Sequence, residues 1–314
     1  MDHEKYEIIK YDPNHLGNII IGGVYAVESL VFFYYIFRHK ARWALCLPLG
    51  ALASAIGFFV RVALDRQNVS IMLYVIQSMF IVASPSAFLA FNYMLYGRFI
   101  AAIDPHFGSD KAQPKMEKSR YSFIPPRIVG RVFIWSDVTT FMLQIAAGGM
   151  LGGGGTNVSL IQMGDKLFLI GVIAQGVCYL LFTALLTVTL MRLVSERQAA
   201  GLNRSGRGCM GLDKNTLKMA VGFYFSSLCI AVRSVYRIIE FAQGHDGLLV
   251  SHEVYLFILD ALPLVLAIGV WALLWPTTTL DRIASEARDG SQAYSMESGN
   301  APLRLPSSDS SLRN

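Results

Sequence analysis

Apolar residues in this chain gather into seven long runs separated by short polar connections. The runs lie at about 17–37, 43–64, 69–96, 128–151, 167–191, 217–241 and 254–275. Each reaches the ~20 residues that a helix needs to cross the hydrocarbon core of a bilayer. The pattern predicts an all-α integral membrane protein with seven transmembrane helices. The third run is overlong and is expected to tilt or to bend at Pro85. The second holds the small-residue stretch GALASAIG, Gly50 to Gly57, which suits close helix contact. The expected organisation is an outer N-terminal segment at 1–16, a membrane domain at 17–276 and a serine-rich cytosolic tail at 277–314. From Arg282 on, that tail is polar and holds eight serines, so it is expected to be disordered and open to phosphorylation.

Polar residues inside the runs are few and patterned. In the sixth run Arg233, Tyr236, Arg237 and Glu240 are three or four residues apart, which sets them on one helical face. The seventh run opens with Glu253 and carries Asp260 seven residues on, also on one face. A short connection with Gly244 and Gly247 makes the two helices antiparallel neighbours. At about 1.5 Å per residue, Arg233 and Asp260 each lie roughly 10 Å in from that connection. Pro263 lacks the amide that would bond the Leu259 carbonyl, which loosens the helix near Asp260. Unpaired charges in hydrocarbon cost several kcal/mol, so these must be paired or hydrated. Two readings follow: an ion-pair clamp between two helices, or a polar site open to substrate. Elsewhere, Glu28 sits near the centre of the first run, and Asp137 and Gln144 share a face of the fourth. Each is a candidate for substrate binding or for a hydrogen bond between helices. Arg61, near the end of the second run, is placed to snorkel to the interface.

Composition agrees with a membrane protein: 54% of residues are hydrophobic and 16% charged, with mean hydropathy +0.44. The net charge of +5 comes from short connections, which orients a membrane chain and gives no reason to expect nucleic acid as a partner. Segments 38–42, 97–127, 192–216 and the tail hold 18 Lys and Arg, while the N-terminus and the 65–68, 152–166 and 242–253 connections hold four. The expectation is an N-terminus outside and a C-terminus in the cytosol. The acidic opening MDHEKYEIIKYDPNH has no cationic lead into a short apolar stretch, so the first span is expected to serve as its own targeting signal. Asn157-Val-Ser then falls outside as a candidate glycosylation site, and Asn68-Val-Ser lies close to the membrane.

Several chemistries are disfavoured. No connection is long enough for a nucleotide-hydrolysing domain. All six histidines lie outside the runs, which argues against an intramembrane metal hydrolase. Cys46, Cys178 and Cys229 fall in spans and Cys209 in a basic connection, with no CxxC pair. The glycines from Gly148 to Gly155 follow no strand and lack a P-loop lysine. No enzyme activity, cofactor or metal is expected. Seven spans also match receptor topology, but the third span does not end in an Asp/Glu-Arg-Tyr triplet.

The chain resembles the fungal RTA-like family of lipid-translocating exporters, named for resistance to aminocholesterol. Residues 233–260 are similar to its R-x-x-(Y/F)-R-x-x-E motif, followed by a glycine loop and E-x-x-x-x-x-x-D. Here these are Arg233, Tyr236, Arg237, Glu240, Gly244, Gly247, Glu253, Tyr255 and Asp260. Asp137, Val138, Thr140, Phe141 and Gln144 resemble its D-V-x-(S/T)-F-x-x-Q element, with Gly148-Gly149 one residue later than the family pattern. Pro85, Tyr93, Gly97 and Arg98 resemble a third-span element, where Phe91-Asn92 replace small residues. Trp275-Pro276 stands where His-Pro is commoner, and Glu28 is not a family position. The resemblance implies a seven-span plasma-membrane protein that exports or flips sphingoid-base-like lipids or toxic hydrophobic compounds. Its partners would be an amphipathic lipid or drug-like substrate and the membrane lipids. Asp260, Glu253 and Glu240 would then meet a cationic amine. The alternative is a seven-span lipid or stress sensor that signals through its cytosolic loops and tail without transport.

Overall fold

A computed structural model of the chain describes residues 14–63, 71–104, 125–153, 158–199, 212–243 and 253–297. The regular structure among them is helical. Seven helices are long and apolar enough to cross a membrane: α1 (His15–His39), α2 (Cys46–Val62), α3 (Ile71–Ile103), α4 (Pro126–Gly153), α5 (Val158–Ala199), α6 (Lys214–Gln243) and α7 (Glu253–Leu273). An eighth, α8 (Pro276–Glu297), follows α7 after a two-residue break. Gly244, Gly247, Cys209 and both outer sequons, Asn68 and Asn157, lie outside the described residues.

Each spanning helix packs on the next, and α7 returns to α1, so the seven form a closed ring. The lipid side of the ring is marked by large exposed apolar residues, among them Leu30, Trp135, Leu228 and Leu273. Local sequence explains the joints. Asn14 caps α1 by accepting from the Gly17 amide at 3.1 Å. Lys40 takes the left-handed conformation (φ 52°) that ends this helix, and a 3₁₀ turn at Arg42–Ala44 leads directly into α2. The small face of α2 packs closely, as its composition predicts. A Cβ on Gly50 would stand 2.7 Å from the Phe88 ring and 2.9 Å from Ala87 Cβ, and one on Gly57 would stand 2.8 Å from Ile81.

Prolines are absorbed inside the spans. Pro85 lies within the unbroken α3 and cannot donate to the Ile81 carbonyl; the neighbouring Ser84 hydroxyl donates there instead, at 3.1 Å. In α7, Leu256–Ala261 form a π-helical segment in which the Leu262 amide bonds the Phe257 carbonyl, five residues back. Pro263 follows in the first turn of the α-helical Leu262–Leu273. The loosening anticipated near Asp260 is therefore a wide turn that contains it.

Three elements differ from the sequence reading. Helix α5 runs 42 residues, about 63 Å at 1.5 Å per residue, against an expected span of 167–191. Its polar flanks contain no proline to stop the helix. Helix α3 continues to Ile103, so Tyr96, Gly97 and Arg98 lie inside it and not at its end. Finally, the segment expected to be disordered from 277 forms α8 as far as Glu297. Leu280 and Ile283 are buried, and with Ala284 they make an apolar stripe at helical spacing that the serine content obscures. Helix α8 packs on α3 and α6, and the Asn215 side chain donates to Glu286 at 2.7 Å.

The bundle is unlike at its two ends. The half containing the 38–42 turn is filled by stacked and edge-on aromatics. Trp271 is fully buried against Phe91 and Phe223, Trp43 stacks on Phe91, and Phe182 meets Tyr93 and Tyr96 edge-on. Arg98, in the third-span element, lies over the Trp43 ring at 4.6 Å. The paired charges Arg233, Arg237, Glu240 and Asp260 occupy the opposite half.

Candidate functional site

Helical spacing in α6 delivers Arg233, Tyr236, Arg237 and Glu240 to one side, opposite Asp260 in the wide turn of α7. Arg237 grips Asp260 with a two-pronged fork, Nε donating to Oδ1 at 2.7 Å and Nη2 to Oδ2 at 2.6 Å. Its third nitrogen, Nη1, donates to Glu240 Oε2 at 2.9 Å, and the Tyr236 hydroxyl donates to Glu240 Oε1 at 3.2 Å. Arg233 Nε approaches Asp260 Oδ1 to 3.1 Å, at an angle that makes an ionic contact but no hydrogen bond. Two guanidinium and two carboxylate groups thus balance. The Asp260 side chain is 1% exposed, whereas Glu240 is 15% exposed and forms the open edge of the cluster.

Glu253 does not join this group. It accepts from Arg61 Nε at 3.1 Å, from Asn18 Nδ2 at 2.8 Å and from the Asn14 amide at 2.6 Å, which ties α7 to α2 and to the start of α1. Seven residues return to the same face only in a regular α-helix; the π segment turns less per residue and swings Asp260 away from Glu253. Arg61 accordingly points inward, 11% exposed, and does not snorkel. The Tyr25 hydroxyl donates to the Ala261 carbonyl at 3.0 Å and pins α1 to the same wide turn.

The other sequence candidates lie apart. Glu28 is half-buried on α1, with its Oε1 3.1 Å from where a Cβ on Gly269 of α7 would stand, and its Oε2 is buried without a hydrogen bond. The hydrogen of Gly269 is what leaves room for it. Asp137 and Gln144 share a face of α4, as their spacing predicts, and point into a seam with α3 and α5. Gln144 Nε2 donates to Gln175 Oε1 at 3.3 Å, and Gln175 donates on to Ser86 at 3.0 Å. Sequence reading missed the rest of this seam. Asn92 donates to the Tyr179 hydroxyl at 3.0 Å and to Ser226 at 3.3 Å, while Tyr179 and Ser227 hydroxyls meet at 3.0 Å. The available signal is a four-residue polar stripe on α5: Gln175, Tyr179, Thr183 and Thr187.

Beside the ion cluster, a groove of about 720 Å³ runs between α6 and α7. It is lined by Ala231, Val232, Val235, Ile239 and Leu259, with Tyr236 linking it to the cluster. Val232, Val235 and Ile239 are 40%, 55% and 43% exposed, so the groove opens sideways toward lipid.

Residues 47–282 match the family model described as RTA1 like protein. The chain belongs to the RTA1-like protein family. Protein RTA1 of Saccharomyces cerevisiae is 23% identical, over 96% of this chain and 95% of its own. The probable lipid transporter atnI of Emericella nidulans is 22% identical, over 86% of this chain and 67% of its own. The sphingoid long-chain base transporter RSB1 of Saccharomyces cerevisiae is 27% identical, over 47% of this chain and 45% of its own. No solved structure matches the chain. Within the RTA1-like match lie both charged stretches, Asp137 to Gln144 and Arg233 to Asp260.

Proposed function

We propose that this RTA1-like protein translocates an amphipathic lipid, of the sphingoid-base kind, or a toxic hydrophobic compound across the plasma membrane. Movement runs along the face between α6 and α7, without a nucleotide-hydrolysing domain in this chain. The observation that carries the proposal is the apolar groove, open to lipid and continuous with a buried charged cluster. The aliphatic tail lies along Val232, Val235 and Ile239, and a cationic amine meets Glu240 and Tyr236 at the rim. Asp260 acts chiefly as the clamp that holds Arg237 in place, since both its oxygens are gripped by the same guanidinium. Glu28, a carboxylate without an arginine partner, offers the amine a further stop along the other side of α7. The distribution of Lys and Arg supports an N-terminus outside and a cytosolic C-terminus. The ionic half then faces outward and the aromatic half closes the cytosolic side.

The test is flipping of a fluorescent sphingoid base in proteoliposomes containing only this protein. Ala231→Phe fills the groove without touching a charge, and Glu240→Gln removes the rim carboxylate. Wild type is expected to flip the lipid, with Ala231→Phe blocked and Glu240→Gln slowed, all three eluting as folded protein. Equal flipping by wild type and Ala231→Phe would sink the α6–α7 path.

A further inference from the structure

The two clusters on α7 are charge-balanced: Arg233 and Arg237 against Asp260 and Glu240, and Arg61 against Glu253. Asp137 is not. It is 2% exposed, and neither carboxylate oxygen has a hydrogen bond. No Lys or Arg among the described residues pairs with it. The groups around it carry hydroxyls and thiols: Tyr93 from α3 and Tyr179 from α5 face it, with Cys178 beside Tyr93 and Cys229 of α6 beyond Tyr179. Of these, Tyr179 is engaged with Asn92 and Ser227, and Cys178 lies 3.0 Å from Ser136. The Tyr93 hydroxyl is directed at Asp137, outside strict hydrogen-bond geometry, and has no other partner.

Apart from the Tyr93 hydroxyl, the atoms left over in this seam are acceptors. Asp137 Oδ1 and Oδ2, Asn92 Oδ1 and Gln144 Oε1 are all buried acceptors without a donor. A lone carboxylate in hydrocarbon costs several kcal/mol, and an unmet acceptor costs about 1–3 kcal/mol. Beyond the single Tyr93 hydroxyl, the seam offers these acceptors no free donor and no positive charge. A lipid amine does not qualify, because Asp137 is buried and the rings of Tyr93, Phe133 and Phe182 pack against one another beside it. We infer that Asp137 is the binding site for a small monovalent cation, a proton or an alkali ion, held with Tyr93 between α3, α4 and α5.

The placement links that cation site to the groove through one helix. Helix α6 presents Ser226 and Ser227 to the seam and Arg233 and Arg237 to α7. A cation entering or leaving Asp137 therefore acts on the same helix that forms one wall of the groove. This rests on the proposed lipid translocation and goes beyond it: the site would let an existing cation gradient drive the movement.

The test uses purified full-length protein in nanodiscs and needs no lipid substrate, so its outcome is separate from that of the flipping assay. Infrared spectra of wild type, Asp137→Asn and Glu28→Gln report a protonated carboxylic acid. Unfolding midpoints in sodium, potassium and choline chloride at equal ionic strength report an alkali ion. A carboxylic-acid band absent in Asp137→Asn and kept in Glu28→Gln assigns a proton. Stabilisation by sodium or potassium over choline, lost in Asp137→Asn, assigns an alkali ion. If neither signal depends on Asp137, the inference is overturned. Should Asp137→Asn fail to fold, Tyr93→Phe replaces it: a shifted band or weakened ion stabilisation supports the site, and no change in either overturns it.

Discussion

Removing Arg237 is the perturbation that asks most of the ion cluster. Arg237 supplies both hydrogen bonds that Asp260 receives from the cluster, at 2.6 and 2.7 Å, and one to Glu240 at 2.9 Å. After Arg237→Ala, Asp260 keeps only the Arg233 contact at 3.1 Å, and Glu240 keeps only the Tyr236 hydroxyl. Breaking a buried pair by removing one partner costs about 3–5 kcal/mol, because the remaining charge stays desolvated. Asp260→Asn is expected to cost a similar ~3–5 kcal/mol, as it strands two arginines that are 8% and 9% exposed. Arg233→Ala removes no hydrogen bond to Asp260 and is expected to cost less than either. The double variant Arg237→Ala/Asp260→Asn should be less damaging than the sum of its parts by about 2–3 kcal/mol. The assay is reversible unfolding of the purified protein in mixed micelles, titrated with a denaturing detergent. Additive single costs, or an Arg237→Ala protein within ~1 kcal/mol of wild type, would refute the view that this fork joins α6 to α7.

Three other outcomes are expected. Gly50→Leu forces side-chain atoms into Phe88 and Ala87 and should destabilise by about 1–3 kcal/mol or more, read from the same unfolding titration. Ser84→Ala leaves the Ile81 carbonyl, freed by Pro85, without its donor; a loss of about 1–3 kcal/mol is expected, and Pro85→Ala in the same background should recover part of it. Truncation after Glu297 should leave stability within ~0.5 kcal/mol of wild type, while truncation after Pro276 exposes the α3 and α6 surfaces that Leu280 and Ile283 cover and should lower the thermal midpoint measurably.

The seven spans, the shared face of Arg233, Tyr236, Arg237 and Glu240, and the close contact at Gly50 and Gly57 were legible in the chain alone. All rest on local rules: the length of an apolar run, the 3.6-residue repeat, and the absence of a side chain. Even the disturbance near Asp260 was visible, because a proline's missing amide is a property of the sequence. Which carboxylate meets which arginine was not. Glu253 and Asp260 are seven residues apart, yet a wide turn between them sends one to Arg61 on α2 and the other to Arg237 on α6. That choice depends on how the ring closes α7 against α1 and α6, which no spacing within one helix encodes. Similarly, Asp137 and Glu28 are both lone carboxylates in apolar runs. Only packing reveals that one is sealed among neutral hydroxyls while the other lies against the open backbone of Gly269. Burial and pairing belong to surfaces contributed by several helices at once, so the tertiary structure decided them.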